Sequence, residues 1–452
     1  MKNICLIAAI VIVLFGGCKK FLDEKSDRKL AVPQNLDDLQ ALLNSENLIS
    51  LVDPSAGEIS SDDFYLTDDD YNGLSQDRER RLYLWQKDHL FANASSPNDW
   101  QKLYSLVYTA NTVIEGIGKI EKNGQNEMRY NSILGQAYFH RGRAYFSILL
   151  LWSKAYNPVT ARDDLGMVIR ESTDFNLPSK RSDVQASYDY VLSDLKRAAA
   201  LLPLVSPSPV RPGRQATLAM LSRVFLSMRI YSQAYLYADS CLKISASLFD
   251  YNTVNAAKTI PFTRFNSEVL FDCYNSTPAA LANTRAKIVP ELYGSYLDND
   301  LRKTLFFRSN SNGTYGWRGS YTGSTGLFPG IAVDEVILNR AECLARSGNF
   351  QEALDDLNAL LIKRYRTNSF RPHTLANTMD VKKLVLDERR KELTMRNIRW
   401  LDLKRLNLEG ANINLKRSVG GIDYIMNAND PRYALEIPED VVSLSNIEQN
   451  QR

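Results

Sequence analysis

The chain has 452 residues, and its 55 Lys and Arg side chains nearly balance 52 Asp and Glu, which gives a formal net charge of +3. This charge excludes the broad electrostatic attraction that draws proteins to nucleic acid. Aromatic residues make up 10% of the chain, and many of the 23 tyrosines lie in polar, loop-like stretches. The length accommodates two ordinary domains or one large helical domain.

The N-terminus predicts a secretory signal followed by a lipid anchor. A short positive start precedes an apolar run from Ile4 to Phe15, which is too short for a membrane-spanning helix of ~20 residues. Two glycines before Cys18 resemble the bacterial lipobox, in which the cysteine is acylated, although Phe15 stands where an aliphatic residue is usual. Lipid on Cys18 would hold the protein on a membrane. The alternative is an ordinary cleaved signal with an incidental cysteine.

The remaining cysteines indicate neither a disulfide framework nor a metal site. Once Cys5 leaves with the signal and Cys18 takes lipid, Cys241, Cys273 and Cys343 are odd in number and far apart. The chain has three histidines and no pair of cysteines at the spacing of a zinc site. Cys241 and Cys343 lie on apolar helical stripes, so we expect them to fill the core.

Helical periodicity appears near residue 36 and dominates from residue 99 onward. Residues 50–98 are expected to be irregular. Apolar residues at helical spacing, an N-cap at Asn98 or Asp99 and a stop at Pro203 set the limits of the predicted helices. The predicted helices are at about 36–46, 99–118, 129–154 and 183–202. Four prolines make residues 203–213 a loop.

Two predicted helical hairpins, at 214–246 and 332–365, repeat one pattern. Small, apolar and aromatic residues recur at the same spacing in both, and Gly348 lies where the second hairpin should turn. The aligned residues are Ser222, Phe225, Tyr231, Ala234, Ala238 and Cys241 in the first hairpin, and Ala341, Leu344, Phe350, Ala353, Leu357 and Leu360 in the second. This spacing resembles a tetratricopeptide repeat, in which neighbouring units cover each other's apolar faces. The alternative is two unrelated hairpins that agree by chance.

These elements predict the fold class and the domain organisation. We expect a mainly α protein with a tetratricopeptide-like helical-hairpin scaffold at about 99–246 and 332–408 and a large, irregular, loop-rich insertion at about 247–330. The insertion is too long for a plain loop and is expected to bind the ligand. Residues 1–17 are assigned to the signal peptide, 18–35 to a tether, and 36–452 to a single domain.

Several segments, in this order along the chain, resemble the SusD/RagB family of Bacteroidetes nutrient-uptake lipoproteins. They include WQKLYSLVYTANTVIEGI (100–117), GQAYFHRGRAYFSILLLW (135–152), LVLDERRKELTMRNIRWLDLKR (384–405) and ALEIPEDVVSLSNIEQN (434–450). The third segment departs from the family pattern, because Met395–Ile398 replaces a Phe-Glu-Gly turn, which leaves the local geometry open.

The resemblance implies a non-enzymatic outer-membrane lipoprotein that faces the cell exterior. Such a protein binds a nutrient glycan and delivers it to a SusC-type TonB-dependent transporter, with no cofactor and no nucleic-acid partner. Three alternatives stay open: peptide or another nutrient as ligand, a helical-repeat scaffold that binds only proteins, and a hydrolase with two acids at the scissile bond.

Candidate ligand-binding residues are aromatic rings and planar polar groups in loop-like stretches. Sugars offer apolar C–H faces to flat rings and hydroxyls to Asn, Asp and Arg, so we expect a shallow surface site. The candidates are Tyr315, Trp317, Arg318 and Tyr321, then Tyr274 with Asn275, and Tyr71 with Trp85. The alternative is that these rings pin loops to the scaffold.

Two charged segments have structural and functional interpretations. The block from Glu388 to Arg405, which includes Trp400, is expected to form structural ion pairs, as helical Glu and Arg spacing favours. Residues 68–79 match a calcium loop, with Asp68, Asp70, Asn72 and Glu79 as oxygen ligands around Gly73. Against calcium, Ser75 stands where such loops usually have an aliphatic residue, and a solvated acidic loop is the favoured interpretation.

Overall fold

The computed structural model describes residues 33–92, 97–275 and 277–452, so Cys18 lies outside the described residues. Helices dominate the chain. The helices before the insertion are α1 (Leu36–Leu43), α2 (Glu46–Ile49), α3 (Ala56–Ser60), α4 (Asp68–Asn72), α5 (Asp77–Tyr83), α6 (Asp99–Ile117), α7 (Glu127–Trp152), α8 (Val184–Leu201), α9 (Arg214–Ser227) and α10 (Tyr231–Ile244). Within the insertion are α11 (Pro290–Gly294) and α12 (Arg302–Leu305). After it come α13 (Val333–Arg346), α14 (Phe350–Leu361), α15 (Val381–Glu392), α16 (Arg399–Asn407) and α17 (Glu439–Ser445).

The strands are short, and they pair in twos as antiparallel ribbons. In chain order they are β1 (Phe64–Tyr65), β2 (Leu165–Val168), β3 (Arg181–Asp183), β4 (Val269–Phe271), β5 (Lys287–Ile288), β6 (Phe307–Ser309), β7 (Tyr315–Trp317), β8 (Ile331–Ala332), β9 (Leu415–Val419) and β10 (Ile422–Met426). The pairs are β1 with β5, β2 with β3, β4 with β8, β6 with β7, and β9 with β10.

The long helices pack side by side in a stack, as the repeat pattern predicts. Helices α6, α7, α8, α9 and α10 follow one another, and α10 then packs against α13 and its partner α14. The predicted helices are confirmed, with ends that differ by at most four residues. Gly348, with φ of +85°, makes the turn between α13 and α14. The mainly α, tetratricopeptide-like fold class is therefore confirmed.

Small residues let the two helices of each hairpin approach closely. Ala234 and Ala353 are fully buried, and Ser222 donates a hydrogen bond from Oγ to the carbonyl of Ala234 (3.0 Å). Cys241 and Cys343 are buried in the same stack, which confirms their predicted core role. Burial raises the pKa of both thiols to about 12.

We predict that Ala234→Trp and Ala353→Trp each lower the free energy of unfolding by ~1–3 kcal/mol or more, because no space exists for an indole between the paired helices. Thermal melting measures the effect. The matched control is Leu236→Trp, at a half-exposed position of α10, where the melting temperature should stay within a degree or two. Equal melting temperatures for all three variants would contradict the close helix contact.

Residues 50–98 are more ordered than the sequence indicated. The prediction of an irregular segment is wrong for α3, α4 and α5, three short helices that lack a long apolar stripe. Helix α3 is wholly buried and contacts α5 and α16. Such helices escape periodicity because each has at most two turns and is stabilised by distant contacts.

The turn that departs from the family pattern forms without glycine. Asn397 adopts φ of +60°, a left-handed conformation that Asn tolerates better than most residues. Its backbone N–H donates to Glu58 Oε2 (2.9 Å) and its Nδ2 donates to the carbonyl of Pro54 (2.9 Å). This turn therefore fastens the N-terminal segment to the helix pair α15 and α16.

Glu58 makes the stability of this contact depend on pH. Burial first, and then the nearby Asp63, raise the pKa of Glu58 to about 8, against the hydrogen bond from Asn397. In the unfolded chain the pKa of this carboxyl group is about 4.5. The stability that protonated Glu58 contributes is therefore fully present below pH 4.5 and is lost as the pH rises from about 4.5 through 8.

We predict that Glu58→Gln raises the free energy of unfolding by roughly 1–3 kcal/mol at pH 8.5 and changes it little at pH 4.5. Denaturant titrations at both pH values, with exposed Glu352→Gln as control, test this; parallel pH profiles for wild type and Glu58→Gln would refute it.

The charged block near the C-terminus is a buried ion-pair network, as the structural interpretation predicted. Arg389 and Arg405 both bind Asp402 (2.8 Å each), and Arg405 also forms an ion pair with Glu342. Burial opposes ionisation of Asp402, but the two arginines outweigh it and hold its pKa below the ordinary value. Trp400 is buried, as expected for a core residue. The block joins α13, α15 and α16.

Candidate ligand-binding site

A polar cleft of about 170 Å³ lies at the N-terminal end of α6. Its lining comes from four separated stretches of chain, which the fold brings together. The polar residues that line it are Asp53, Ser55, Gln76, Arg78, Glu79, Asn98, Asp99, Lys102, Asn275 and Thr277. We call this feature the polar cleft.

The floor of the polar cleft is fixed by Asp99. Its Oδ2 accepts hydrogen bonds from the backbone N–H groups of Ser55 and Ala56 (both 3.2 Å). Its Oδ1 forms an ion pair with Arg78 Nη1 (3.0 Å), and Arg78 also donates to Ser55 Oγ (3.3 Å). The Arg78 guanidinium is therefore held in one orientation before any ligand arrives, which lowers the entropic cost of binding.

Asn275 supplies an unused acceptor at the cleft wall. Its backbone pairs with Leu327, and its Nδ2 donates to the carbonyl of Pro54 (3.3 Å). Among the residues that the structure describes, its buried Oδ1 has no hydrogen-bond partner. A buried polar atom without a partner is costly, so a ligand hydroxyl or amide that donates to this oxygen gains a favourable contact.

An aromatic sandwich lies beside the polar cleft and presents rings to solvent. The Arg264 guanidinium lies 4.7 Å from the ring centre of Phe265 and 5.1 Å from that of Tyr274, and it binds Asp272 (2.7 Å). Phe265 adopts φ of +60° and is 45% exposed. A left-handed conformation is uncommon for a bulky residue and persists only when its surroundings impose it. Tyr274 is fixed by the hydrogen bond from its hydroxyl to Glu46 (2.7 Å).

The four candidates at 315–321 do not form an exposed aromatic site. The expectation of exposed rings is wrong for Trp317 and Tyr321, which are 5% and 2% exposed. Trp317 packs against Phe306 and Phe307, and Tyr321 bonds through its hydroxyl to Tyr251 and Glu268. These two rings hold the insertion together.

The other two members of this group are also engaged by the protein. Tyr315 stacks on Tyr293 with ring centres 3.6 Å apart and stays partly exposed. Arg318 donates hydrogen bonds to the carbonyls of Lys258, Ala256 and Thr304.

Tyr71 and Trp85 lie away from the polar cleft. Trp85 is buried, donates from Nε1 to the carbonyl of Ser60 (2.8 Å) and has the Arg417 guanidinium over its ring. Tyr71 is half-buried against Tyr83. Of the predicted residues, Asn275 lines the cleft, and Tyr274 is its neighbour in the chain. Arg78, Arg264 and Phe265 were missed, because nothing in their local sequence distinguishes them from surface residues.

The calcium-loop hypothesis is not supported by the geometry. Asp68, Asp70 and Asn72 belong to helix α4, so their oxygens do not converge on one point. Asp70 binds Lys287, and Asp68 accepts a hydrogen bond from the backbone of Gly420. Glu79 accepts from the backbone N–H groups of Ala279 (3.3 Å) and Ala280 (2.7 Å), which ties α5 to the insertion. Within the described ranges, no cluster of three or more His, Cys, Asp or Glu side chains could hold a metal ion.

Comparison with known families and proteins decides the family. A family model described as starch-binding associating with outer membrane matches residues 20–226, and a model of the SusD family matches residues 301–444. The chain belongs to the SusD/RagB family. Proteins of this family bind carbohydrate, associate with the outer membrane and are binding proteins, not enzymes.

Relatives and solved structures agree with this family. The chain is 22% identical to SusD-like protein P2 of Formosa agariphila over 371 residues, which cover 68% of this chain and 71% of the relative. It resembles a putative sugar-binding protein of Bacteroides vulgatus (TM-score 0.76, 20% identity, 93% and 99% of the two chains). A SusD superfamily protein of Bacteroides thetaiotaomicron gives a TM-score of 0.72 at 23% identity, over 92% and 100% of the two chains. At such identities the structures establish the fold.

The described part of this SusD-family chain has no helix of the length and apolar character needed to cross a bilayer.

Proposed function

We propose that this protein is a cell-surface lipoprotein that binds a nutrient glycan in the polar cleft and delivers it to a SusC-type TonB-dependent transporter. The observation that supports it most directly is that Asn275 and Arg78 line one cleft, and that Asn275 directly follows Tyr274 of the Phe265–Arg264–Tyr274 sandwich. The rings offer flat apolar faces for sugar C–H groups, and the planar polar groups offer partners for hydroxyls. The description of the matching family model, starch-binding associating with outer membrane, supports the same ligand class.

Binding without catalysis fits the state of the acids in the cleft. A glycosidase needs one carboxylic acid to protonate the leaving group and a second carboxylate on the other side of the bond. Asp99 is bound by Arg78 and two backbone N–H groups, and Glu79 by two more. Asp53 pairs with Arg143. Carboxylates held by cations and backbone N–H groups in this way have a structural role.

A peptide ligand is the second candidate, because Arg78 and Lys102 place two cations at the same cleft. Calorimetry against neutral oligosaccharides and against acidic peptides separates the two ligand classes. A neutral glycan should bind with little dependence on salt, whereas an acidic peptide should lose affinity as salt screens the cations. If acidic peptides bind and no oligosaccharide does, the ligand is a peptide and not a glycan.

Mutation then tests the site. With the best glycan, Tyr274→Ala should weaken binding by ~1–2 kcal/mol, about 5- to 30-fold, because aromatic anchors contribute strongly at binding surfaces. The melting temperature should change little, since the Tyr274 ring is partly exposed. Tyr235→Ala, on the outer face of α10 and 37% exposed, is the matched control and should bind normally. Wild-type affinity in Tyr274→Ala would place the site elsewhere.

Delivery requires a partner, and this step is tested separately. Co-purification of the acylated protein with a SusC-type transporter from outer membranes, with and without glycan, is the expected result. If the protein binds glycan but does not associate with a transporter, the proposed binding role stands and the proposed delivery role is wrong.

A further inference from the structure

A second concave surface, here called the aromatic groove, lies between α6, the loop that joins β2 to β3, and α17. It has a volume of about 240 Å³, a little below the ~300–1,000 Å³ of typical small-molecule pockets. A groove of this size holds a small molecule or a short part of a longer one. Its apolar lining includes Trp100, Tyr104, Val107, Tyr108, Val168 and Phe175.

The aromatic groove and the polar cleft lie on different sides of α6. Asp99 and Lys102 line the cleft, whereas Trp100 and Tyr104 line the groove. Because successive helical residues are about 100° apart, Tyr104 points about 160° away from Lys102 around the helix axis. The helix, which is ~10–12 Å wide with its side chains, therefore separates two distinct surfaces.

Two exposed rings form a flat platform on the wall of the groove. Phe175 stacks on Tyr108, with ring centres 5.1 Å apart and ring planes 20° from parallel. Phe175 is 79% exposed and Tyr108 is 41% exposed, so most of the Phe175 ring is open to solvent. The C–H face of a sugar packs on a flat apolar ring of this kind.

The loop that carries Phe175 is held in place without this ring. Glu115 on α6 accepts hydrogen bonds from the backbone N–H (2.8 Å) and the hydroxyl (2.6 Å) of Thr173. Asn111 Nδ2 donates to the carbonyl of Arg170 (2.9 Å). The loop therefore presents the Phe175 ring in one place before a ligand arrives, which lowers the entropic cost of binding.

Polar groups beside the platform keep unused hydrogen-bonding capacity. The Arg170 guanidinium has five N–H groups, and two of them donate within the described residues, to the carbonyl of Leu177 (2.6 Å) and to Ser179 Oγ (2.7 Å). Asp174 Oδ1 accepts hydrogen bonds from Asn176, whereas Oδ2 accepts none from any residue that the structure describes. The groove thus offers a ligand both donors and an acceptor.

The balance of charge in the groove favours a neutral ligand. Arg170 and Asp174 are the only charged residues of its described lining, and their signs are opposite, so a charged ligand gains no net attraction. A purely apolar ligand would cover these polar groups without pairing them, which is costly. A sugar matches both parts of the surface, because it has apolar C–H faces and hydroxyls that donate and accept hydrogen bonds.

We propose that the aromatic groove is a second binding site for a neutral glycan, whose ring packs on Phe175 and whose hydroxyls bind Arg170 and Asp174. This second site rests on the proposed glycan function, because the polar cleft and the groove hold the same class of ligand. A glycan chain long enough to pass around the N-terminal turn of α6 engages both sites at once. Binding at the second site is then intramolecular, so the affinity for a polysaccharide exceeds that for a short oligosaccharide.

Hydroxyl-radical footprinting of the full chain reads the two sites separately, because the radicals oxidise exposed aromatic side chains. The probes are neutral hexasaccharides of glucose, mannose, xylose or galactose units. The hexasaccharide that binds should lower the oxidation rates of Phe175 and Tyr108 at least threefold, and also that of Tyr274 beside the polar cleft. Tyr235, on the outer face of α10 and 37% exposed, is the reference and should be oxidised at an unchanged rate.

Phe175→Ala separates the groove from the cleft. It should abolish the protection of Tyr108, leave that of Tyr274 at the wild-type level, and weaken binding to the matching polysaccharide at least tenfold in affinity electrophoresis. The melting temperature should be unchanged, because Phe175 is largely exposed. Tyr274→Ala should leave Tyr108 protected by the hexasaccharide. Tyr235→Ala is the matched control and should bind the polysaccharide with wild-type affinity.

The pattern of protection distinguishes failure of the groove site from failure of the cleft site. Protection of Tyr274 without Phe175 and Tyr108 would overturn the second site and leave the proposed function intact. Protection of Phe175 and Tyr108 alone would support the groove site and contradict the cleft site. If no hexasaccharide protects Phe175 or Tyr108, the second site is wrong, and calorimetry decides the proposed function independently.

Discussion

Arg364→Met is expected to lower the free energy of unfolding by ~3–5 kcal/mol or to prevent folding altogether, because it breaks a buried ion pair and leaves its partners uncompensated. Arg364 is completely buried and binds Glu268 Oε1 (2.8 Å) and Glu392 Oε1 (2.7 Å). It also donates to the carbonyl of Phe249 (2.8 Å) and lies 4.0 Å from the ring centre of Tyr251. One side chain thus joins the insertion to α15.

Glu268 supplies the check on this mechanism. Burial, opposed by Arg364, raises the pKa of Glu268 to about 7, and loss of the arginine should raise it further. A second substitution, Glu268→Gln, should therefore recover part of the lost stability in the Arg364→Met background. Lys383→Met removes an exposed pair with Asp387 and is the control, with an expected cost below about 1 kcal/mol. Denaturant unfolding compares the three variants with the wild type, and equal costs for Arg364→Met and Lys383→Met would contradict the proposed mechanism.

Cys18→Ala is expected to move the protein from the membrane fraction to the soluble fraction almost completely. The apolar run before Cys18 spans twelve residues, too few for a stable membrane-spanning helix, which needs ~20. Among the described residues no helix could replace it as an anchor. Fractionation of cells that express wild type and Cys18→Ala measures the change.

The matched control is Lys19→Ser, which changes the residue next to Cys18 and should leave the protein in the membrane fraction. A Cys18→Ala protein that stays with the membrane after a high-salt wash would contradict lipid anchoring. Mass spectrometry of wild type should also show acyl chains on the peptide that begins at Cys18.

The scaffold was predictable from sequence because its signals are local. Apolar spacing, an N-cap at Asn98 and the turn at Gly348 act within a few residues, so they can be found without knowledge of the fold. The repeat aligned Ala234 with Ala353 for the same reason, and both alanines lie at close helix contacts. Periodicity thus identified the helices within a few residues.

The ligand site was only partly predictable, because it depends on contacts between distant segments. Trp317 lies in a Gly/Ser-rich stretch without periodicity, so its burial against Phe306 could not be inferred from its neighbours. The same holds for Asp99, whose carboxylate meets Ser55 and Arg78 only in the folded chain. The exposed ring of Phe265 depends on a left-handed backbone conformation, which the neighbouring residues in the sequence do not indicate.

The three buried thiols can report on how the molecule unfolds. Cys241 lies in α10, Cys273 in the insertion and Cys343 in α13, and burial raises the pKa of each. Because the thiolate is the reactive species, alkylation of a closed molecule is slow at all three positions. A brief pulse of reagent at increasing denaturant therefore labels each thiol when its own surroundings unfold. Mass spectrometry of three peptides would then report whether the helical stack and the insertion separate in one step or in sequence, with no substitution in the described part of the chain.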